Sequence, residues 1–250
     1  MSSECVEFDY SGYRVLVTGG TSGIGAEIAS SFFRAGAKVL ITGTRESPEE
    51  YESDLSTYEY RQCRMSEPAD IESLAASISS LDVLVNNAGA NFPGGRNEWE
   101  PDVFEESVAI NLFGAFRLSV GCKGPLGASS VGGGGNVVNL ASLSSYFAVP
   151  VVPGYGAAKA AIVQMTKNLA ATWAGEGIRV NAIAPGLIES NMTAAMKGVE
   201  ALEQPHIGRT PMARWGVPGD IAPTVLFMAS PAAGFVTGQT LVVDGGYSIA

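Results

Sequence analysis

Tyr155 and Lys159 are the two residues of this sequence whose types and spacing most directly indicate acid–base chemistry. They lie four positions apart in a helical pattern, so both side chains extend from one face of the helix. A tyrosine with its ordinary pKa of about 10 is a poor base at neutral pH, but an adjacent ammonium favours the phenolate and lowers that pKa. The small residues Gly154, Gly156 and Ala157 leave space for a ligand beside the tyrosine. The pair therefore predicts a site that exchanges a proton with an oxygen of a bound small molecule.

Ser142 is the third residue with a predicted chemical role, because it lies thirteen residues before Tyr155 and just after a strand-like run. From that position its hydroxyl can donate a hydrogen bond to the same substrate oxygen. A hydrolase that pairs Ser142 with His206, the single histidine, is an alternative. It is disfavoured because Ser142 lacks the Gly-x-Ser-x-Gly surroundings of a nucleophile elbow.

A glycine-rich stretch at residues 18–25 lies between the first apolar strand and the first helical pattern. Glycines let the backbone approach a pyrophosphate closely, and a helix N-terminus offers unpaired N–H groups and a positive dipole. The stretch predicts a dinucleotide site, although a glycine-rich loop met alone could also be a plain tight turn.

Strand-like and helical patterns alternate along the whole chain, which predicts an α/β fold. Nearly continuous apolar strands indicate a parallel sheet that is covered on both faces. No linker or repeat divides the chain, so residues 1–250 are predicted to form a single-domain, doubly wound Rossmann fold of about seven strands. The irregular stretch 187–218 is predicted to be a substrate loop. The predicted strands are 14–18, 38–42, 58–63, 82–86, 136–140, 179–184 and 240–243, and the predicted helices are 23–35, 68–78, 102–120, 155–173 and 219–229.

The composition argues against several classes of partner. A net charge of −10 disfavours binding to nucleic acid or to an anionic membrane. No apolar run is long enough to span a membrane and the first ten residues do not resemble a signal peptide, so we expect a cytoplasmic protein. The three cysteines (Cys5, Cys63, Cys122) have the spacing of neither a disulfide framework nor a zinc site, and we expect no metal.

Several motifs, taken in order, resemble the classical branch of the short-chain dehydrogenase/reductase family. The resemblance covers nearly the whole chain, and it implies an oxidoreductase that moves a hydride between a nicotinamide dinucleotide and a carbonyl or alcohol carbon. The motifs are the TGxxxGIG spacing of residues 18–25, Asn86-Asn87-Ala88-Gly89, Asn111, Ser142, Tyr155 with Lys159, Pro185-Gly186 and Asp244-Gly245-Gly246.

The resemblance also implies a role for each matching residue. Tyr155 is the general acid or base, and Ser142 orients and polarises the substrate oxygen. Lys159 lowers the pKa of the tyrosine and binds the nicotinamide ribose, while Asn111 holds a water behind Lys159; an asparagine that merely bonds backbone is the alternative. The residues that the resemblance places at the cofactor, besides Tyr155 and Lys159, are Gly19, Thr21, Ser22, Gly23, Ile24, Gly25, Asn87, Ala88, Gly89, Pro185, Gly186, Ile188 and Thr193.

The end of the second strand bears on which dinucleotide is bound. NAD-specific relatives have an acid there that bonds the adenosine ribose, but this chain has Gly43, followed by Thr44 and Arg45. Arginine suits a 2′-phosphate, so we expect NADP(H) to be favoured over NAD(H), unless Arg45 is merely solvated. Arg64 and Met65 stand where the family usually has an acid or amide beside the adenine. We expect them at the adenine pocket, with Arg64 against the adenine, unless the pocket itself differs from that of the family.

The substrate is less well determined than the chemistry. Residues 185–193 and 209–216 look like 3-oxoacyl-carrier-protein reductases, so a 3-oxoacyl-thioester reductase is an alternative. We expect stretches 127–135 and 169–177 to border the cleft, and they contain no Lys or Arg to bind an acidic carrier protein. A small ketone or secondary alcohol is therefore favoured. A non-catalytic dinucleotide-binding regulator is a further alternative, and the family implies a homotetramer.

Overall fold

A computed structural model describes residues 7–92 and 95–250 and shows seven parallel strands in one sheet. The order β3-β2-β1-β4-β5-β6-β7 reverses between β1 and β4, and open α/β sheets bind ligands at the carboxyl ends of the strands beside such a reversal. The predicted Rossmann fold is confirmed. The strands are β1 (Arg14–Val17), β2 (Lys38–Gly43), β3 (Glu59–Gln62), β4 (Val83–Asn86), β5 (Gly135–Leu140), β6 (Ile178–Pro185) and β7 (Thr240–Val243).

Helices cover both faces of the sheet because alternate strand residues point to opposite sides. Val15 and Val17 of β1 pack into one core with Ile28 and Val225, whereas Leu16 packs into a second core with Leu118. In the part of the chain that the structure describes, no helix is long and apolar enough to cross a membrane. The helices are α1 (Gly23–Arg34), α2 (Pro68–Ser77), α3 (Pro101–Val108), α4 (Gly114–Gly121), α5 (Lys123–Gly127), α6 (Pro153–Trp173), α7 (Glu200–Arg209) and α8 (Pro218–Ala229).

The helix predicted over 102–120 is interrupted. A π-helical turn, Ala109–Phe113, separates α3 from α4 and contains Asn111. The Asn111 side-chain amide donates to the Ser107 carbonyl, four residues earlier, at 2.8 Å. Single π turns inside helices are frequent at functional sites. No glycine or proline lies within Ala109–Phe113, so the local sequence gave no sign of the interruption.

The stretch predicted as irregular, 187–218, contains the helix α7. Pro205 lies inside this helix, and the surrounding prolines and glycines concealed the helical pattern. Ala213, after α7, has a φ of 50°, which is unusual for a residue with a side chain. Its amide donates to Thr210, so the segment that follows α7 is held in a tight turn.

The two stretches expected to border the cleft do not do so. Gly135 begins β5 and pairs with Ile178, which begins β6, so stretches 127–135 and 169–177 lead into the amino ends of these strands. A ligand at the carboxyl ends lies at the opposite edge of the sheet. Their lack of Lys and Arg therefore says nothing about the cleft, and that premise against a carrier protein was wrong.

Two of the three cysteines lie in the described residues. Cys63 and Cys122 are buried and unpaired, and burial raises their thiol pKa values to about 11 and about 12 respectively. Such thiols are unreactive at neutral pH. Cys5 and the rest of the first six residues lie outside the described part of the chain.

Candidate active site

Ser142 and Tyr155 meet at the carboxyl edge of the sheet. Ser142 follows β5 and its hydroxyl accepts a hydrogen bond from the Ser144 amide at 3.2 Å. Tyr155 lies in the first turn of α6, which begins at Pro153, where the missing amide of proline costs no helical hydrogen bond. The Ser142 hydroxyl is close enough to the Tyr155 phenol to lower its pKa. His206 stacks on Tyr247 instead, and no hydrogen bond joins it to Ser142 in the described structure.

The surroundings of Tyr155 raise its pKa above the ordinary value. Burial is the largest cause, the nearby Ser142 hydroxyl acts in the opposite direction, and the Glu98 carboxylate raises the pKa further. The sequence predicted a lowered pKa because it showed Lys159 but neither the burial nor Glu98. In this structure the phenol is held as a proton donor at neutral pH.

Lys159 is buried one turn after Tyr155. Its Nζ lies 5.5 Å from the centre of the Tyr155 ring and donates to the Leu140 carbonyl at 2.8 Å. Burial lowers the pKa of Lys159 to about 8, so the ammonium is still charged at pH 7. A buried cation next to a titrating phenol is typical of functional sites.

Asn111 and Lys159 converge on Gly89, which follows β4. A Cβ added to Gly89 would lie 2.6 Å from Asn111 Oδ1 and 3.5 Å from Lys159 Nζ. The Asn111 amide exchanges hydrogen bonds with the Ala90 backbone, accepting from its N–H at 3.2 Å and donating to its carbonyl at 2.7 Å. Asn111 thus hydrogen-bonds the backbone after β4, which is the alternative role given in the sequence analysis. Its role in holding a water stays a prediction.

The glycine-rich stretch after β1 forms a backbone cradle at the start of α1. Gly19 and Gly23 have φ values of 64° and 55°, which favour glycine. Asn87 bonds the cradle to the end of β4, since its Nδ2 donates to the Thr18 and Gly19 carbonyls at 3.0 and 3.1 Å. The Thr18 hydroxyl accepts from the Asn87 and Ala88 amides at 3.0 Å each.

The cradle fits a dinucleotide because its surface is bare backbone. A Cβ on Gly25 would collide with the Gly19 carbonyl and the Asn87 amide, and one on Gly20 would lie 2.6 Å from Ile41. These glycines bring the α1 N-terminus close to the neighbouring backbone. Among the described residues, Ser22 makes no capping hydrogen bond, so the first N–H groups of α1 remain available to an anion.

The segment after β6 faces the same cradle. Gly186 packs against Asp244 so closely that a Cβ would lie 2.7 Å from its Cα, and the Ser190 Cβ lies 3.5 Å from the Cβ position of Gly23. The Thr193 hydroxyl donates to the Ile188 carbonyl at 2.7 Å and accepts from the Ser190 amide at 3.0 Å. The segment after β6 thus contacts the cradle through Ser190, and contact of Pro185, Gly186, Ile188 and Thr193 with a nicotinamide stays a prediction.

The carboxyl end of β2 carries a residue that the sequence analysis did not single out. The Tyr51 hydroxyl accepts from the Arg45 amide at 3.0 Å and occupies the space that a Cβ on Gly43 would need. The Arg45 guanidinium lies over the Tyr51 ring, 4.7 Å from its centre. Nothing in the sequence around Tyr51 distinguishes it from other tyrosines, because its contact with Gly43 depends on how the β2–β3 connection folds back.

Arg64 and Met65 follow β3 at the predicted adenine end. The Arg64 side chain makes two hydrogen bonds to the Asp70 carboxylate of α2, at 2.8 and 3.1 Å, which hold its guanidinium in place. The Met65 side chain is buried in the second core. Contact of either residue with an adenine stays a prediction.

Glu98 is the second site residue that the sequence analysis missed. Its side chain is 1% exposed, and its two oxygens accept from the Phe92 and Tyr155 amides. Its neighbours along the chain include Glu100, Glu105 and Glu106, so residue type gave no reason to separate it from an ordinary acidic surface.

Four cations near the carboxyl edge, other than Arg45 and Lys159, already have partners in the described structure. Arg96 pairs with Glu106, and Lys197 pairs with Glu189. Arg209 lies over the Phe147 and Tyr247 rings, at 4.8 and 4.4 Å from their centres. Arg214 pairs with Asp220 through two hydrogen bonds, at 2.7 and 2.8 Å.

Comparisons with known proteins match nearly the whole chain. A family model described as enoyl-(acyl carrier protein) reductase matches residues 19–248. A galactitol 2-dehydrogenase (L-tagatose-forming) from Cereibacter sphaeroides is 34% identical over 97% of each chain. A 3-oxoacyl-[acyl-carrier-protein] reductase from Rickettsia bellii is 33% identical, over 95% of this chain and 98% of its own. A solved gluconate 5-dehydrogenase from Burkholderia cenocepacia, in complex with NADP and tartrate, has a TM-score of 0.86 and 31% identity over 98% of each chain.

Proposed function

The chain belongs to the short-chain dehydrogenase/reductase family, whose members are NAD(P)-dependent oxidoreductases, and from that premise we propose that it interconverts small uncharged ketones and secondary alcohols. The observation that carries the proposal is the convergence of Ser142, Tyr155 and buried Lys159 at one point beside a backbone cradle. A regulator that only binds a dinucleotide has no need of this arrangement.

In the proposed reaction the chain supplies orientation and a proton. The nicotinamide dinucleotide supplies or accepts the hydride when bound. Ser142 donates a hydrogen bond to the substrate oxygen, and Tyr155 gives that oxygen a proton during reduction and takes it back during oxidation. The raised pKa of Tyr155 keeps the phenol protonated, which suits the reducing direction at neutral pH. Lys159 holds the ribose and, as a cation, favours the phenolate that forms.

The cradle and the segment after β6 would hold the dinucleotide. The N–H groups at the start of α1 suit the pyrophosphate, and Asn87, Ala88 and Gly89 line the adjacent floor after β4. Pro185, Gly186, Ile188 and Thr193 would frame the nicotinamide. We propose that α7, in stretch 187–218, lies over the substrate.

We propose that NADP(H) is preferred, with Arg45 and Thr44 at its 2′-phosphate. A charge-assisted bond to an exposed phosphate is worth about 1.5–3 kcal/mol, so NADPH should bind about ten- to a hundredfold more tightly than NADH. Arg45→Ala should remove most of that preference in calorimetric titrations and leave NADH affinity nearly unchanged. Because screening weakens an exposed ion pair, the preference should also shrink as salt is added.

Arg34→Ala is the matched control, because Arg34 is exposed at the far end of α1 and pairs with Glu27. It should leave both affinities unchanged. Equal or tighter binding of NADH by the wild-type protein would contradict the assignment of Arg45. Gly43→Asp is a poor test, because any side chain at Gly43 collides with the Tyr51 hydroxyl.

The substrate is proposed to be uncharged because the cations near the site already have partners. A carboxylate substrate would have to separate Arg96 from Glu106 or Arg214 from Asp220. Both pairs are partly exposed, so separating one costs about 0.2–1 kcal/mol. The net charge of −10 further disfavours an anionic substrate. Relatives that act on sugars or sugar acids therefore do not fix the substrate of this chain.

A substrate panel tests this point. Each neutral ketone is assayed beside a carboxylate analogue of similar size, with each dinucleotide, by the absorbance of the reduced nicotinamide. We expect kcat/KM for the neutral member to exceed that of the carboxylate by at least about tenfold, which is about 1.4 kcal/mol. A consistent advantage for carboxylates would show that a cation of the site is available after all.

The same assay distinguishes a reductase of small ketones from a 3-oxoacyl-thioester reductase, the alternative that the Rickettsia bellii relative supports. A 3-oxoacyl group on its carrier protein is compared with the same group on a short thioester mimic. We expect the two kcat/KM values to agree within about tenfold, because net charge −10 repels an acidic carrier. A larger carrier advantage that falls with salt would instead establish the thioester reductase.

We also propose a homotetramer. Phe113, Phe116 and Val120 are exposed together along the π turn and α4, and α6 exposes the small residues Ala157 and Ala160. Apolar side chains grouped in this way are typical of subunit interfaces. The proposal is supported by the family resemblance and by these exposed residues.

A further inference from the structure

Glu98 is a buried carboxylate in direct contact with the backbone of the site. Oε1 accepts from the Phe92 amide at 3.1 Å, and Oε2 accepts from the Tyr155 amide at 2.9 Å. Burying an ionised carboxylate is costly unless hydrogen bonds compensate. Both oxygens are satisfied by backbone N–H groups, and Oε2 also lies at the positive end of the α6 dipole.

The two amides belong to different parts of the site. Phe92 follows β4, two residues after Ala90, whose backbone is hydrogen-bonded to the Asn111 side chain. Tyr155 lies in the first turn of α6, the helix that carries the side chains of both Tyr155 and Lys159. Glu98 therefore ties the loop after β4 to the first turn of α6. Gly154 accommodates the contact, because a Cβ there would lie 3.2 Å from Glu98 Oε2 and 3.1 Å from Ser107.

We propose that Glu98 is a positioning residue for the proposed reaction, one that fixes where the Tyr155 phenol meets a bound carbonyl. The inference rests on the proposed function for its effect on turnover. Its electrostatic effect is independent of turnover, because the carboxylate also raises the pKa of Tyr155. In the described structure, Ser142 after β5 and Glu98 before α3 both shift the pKa of this phenol, and Lys159 on α6 lies beside its ring.

Glu98→Gln is the first test, because it keeps the shape and removes the charge. The carboxamide has one oxygen, so it accepts from one amide and presents its NH₂ group to the other. Since misplacement of a reacting group by about 1 Å can cost about a hundredfold, we expect kcat/KM to fall about ten- to a hundredfold. Dinucleotide affinity should stay within about twofold of wild type, because Glu98 does not contact the cradle.

The second measurement needs no turnover. The protein is labelled with ¹³C at tyrosine Cζ, Tyr155 is assigned from the signal lost in Tyr155→Phe, and its titration is followed by NMR. Removing the carboxylate should lower the pKa of Tyr155 in Glu98→Gln. In Glu98→Asp the charge is retained, so the titration should stay close to wild type while the shorter side chain still reduces turnover.

Glu105→Gln is the matched control, since Glu105 is exposed on α3 and should change neither quantity. Turnover of Glu98→Gln within about twofold of wild type overturns the proposal. Lost turnover with an unmoved Tyr155 titration in Glu98→Gln also overturns it, because a merely structural role predicts that result. A wild-type protein inactive on every ketone refutes the proposed function instead, and the titration still decides whether Glu98 acts on Tyr155.

Discussion

Tyr155→Phe is expected to abolish turnover while the protein still folds and binds the dinucleotide. The substitution removes the transferable proton and almost no volume. General acid–base catalysis contributes about 10²–10⁴ to a rate, so we expect kcat to fall by at least that much. Loss of one hydroxyl should change the unfolding free energy by no more than about 1 kcal/mol, too little to unfold the protein. Rapid-mixing assays at saturating dinucleotide give kcat, and calorimetry gives the affinity.

Tyr146→Phe is the control for this experiment, because Tyr146 lies in the same connection between β5 and α6 and its side chain is exposed. It should behave as wild type. Turnover of Tyr155→Phe within about tenfold of wild type would falsify the proposed acid–base role, and Ser142 or a bound water would then have to carry the proton.

The fold followed from the sequence because its signals were local and repeated. Residues 15–17 and 83–85 are continuous apolar runs, which is the pattern of strands buried on both faces. Glycines at 19 and 23 marked the turn from β1 into α1, where the structure shows positive φ values. The strands observed differ from those predicted by at most one residue at either end.

Two elements were not predictable from the same signals. The π turn at Ala109–Phe113 lies in an otherwise continuous helical stretch, and no glycine or proline within it marks the change of hydrogen-bond pattern. The helix α7 contains Pro205 and four further polar or charged residue types in ten positions, which conceals a helix that lies on the surface. In both cases long-range contacts, and not the local pattern, decide the conformation.

The sequence predicted which residues meet at the site, but not the electrostatic environment that sets the pKa of Tyr155. Spacing placed Tyr155 and Lys159 on one helical face, and the order of motifs brought Ser142 to them. The pKa of Tyr155 depends instead on burial and on Glu98, which is fifty-seven residues away in the chain. Tyr51 is a similar case at the dinucleotide end, because it meets Gly43 only after the β2–β3 connection folds back. Contacts of this kind leave no mark on composition or spacing.

Lys159→Met is expected to lower the reaction rate and the dinucleotide affinity, while the free energy of unfolding at pH 7 stays the same or rises. Methionine has a similar length and no charge. The loss of the ammonium should reduce dinucleotide affinity about tenfold or more, since a charge-assisted hydrogen bond is worth about 1.5–3 kcal/mol. The rate should fall as well, because a nearby cation favours the phenolate that Tyr155 forms. The limb of the pH–rate profile that reports Tyr155 should move to higher pH.

The effect on stability follows from the lowered pKa of Lys159, about 8 in the folded protein against an ordinary 10.5. Between these values the unfolded chain holds a proton that the folded protein has released, so the unfolding free energy rises with pH in that window. The difference corresponds to about 3 kcal/mol, which is the cost of keeping the buried ammonium charged at pH 7.

Lys159→Met removes that cost and leaves the Leu140 carbonyl without its donor, a loss of about 1 kcal/mol. At pH 7 the variant should therefore be about as stable as wild type or more stable by up to about 2 kcal/mol. Its advantage should disappear as the pH rises from 7 towards 10, because wild-type Lys159 then becomes neutral. Lys167→Met, on the exposed side of α6, is the control and should show neither change. Urea unfolding at several pH values measures the difference. A variant that is less stable than wild type at pH 7 would show that the ammonium stabilises the fold. If the limb of the pH–rate profile that reports Tyr155 does not shift, Lys159 acts only by binding the ribose.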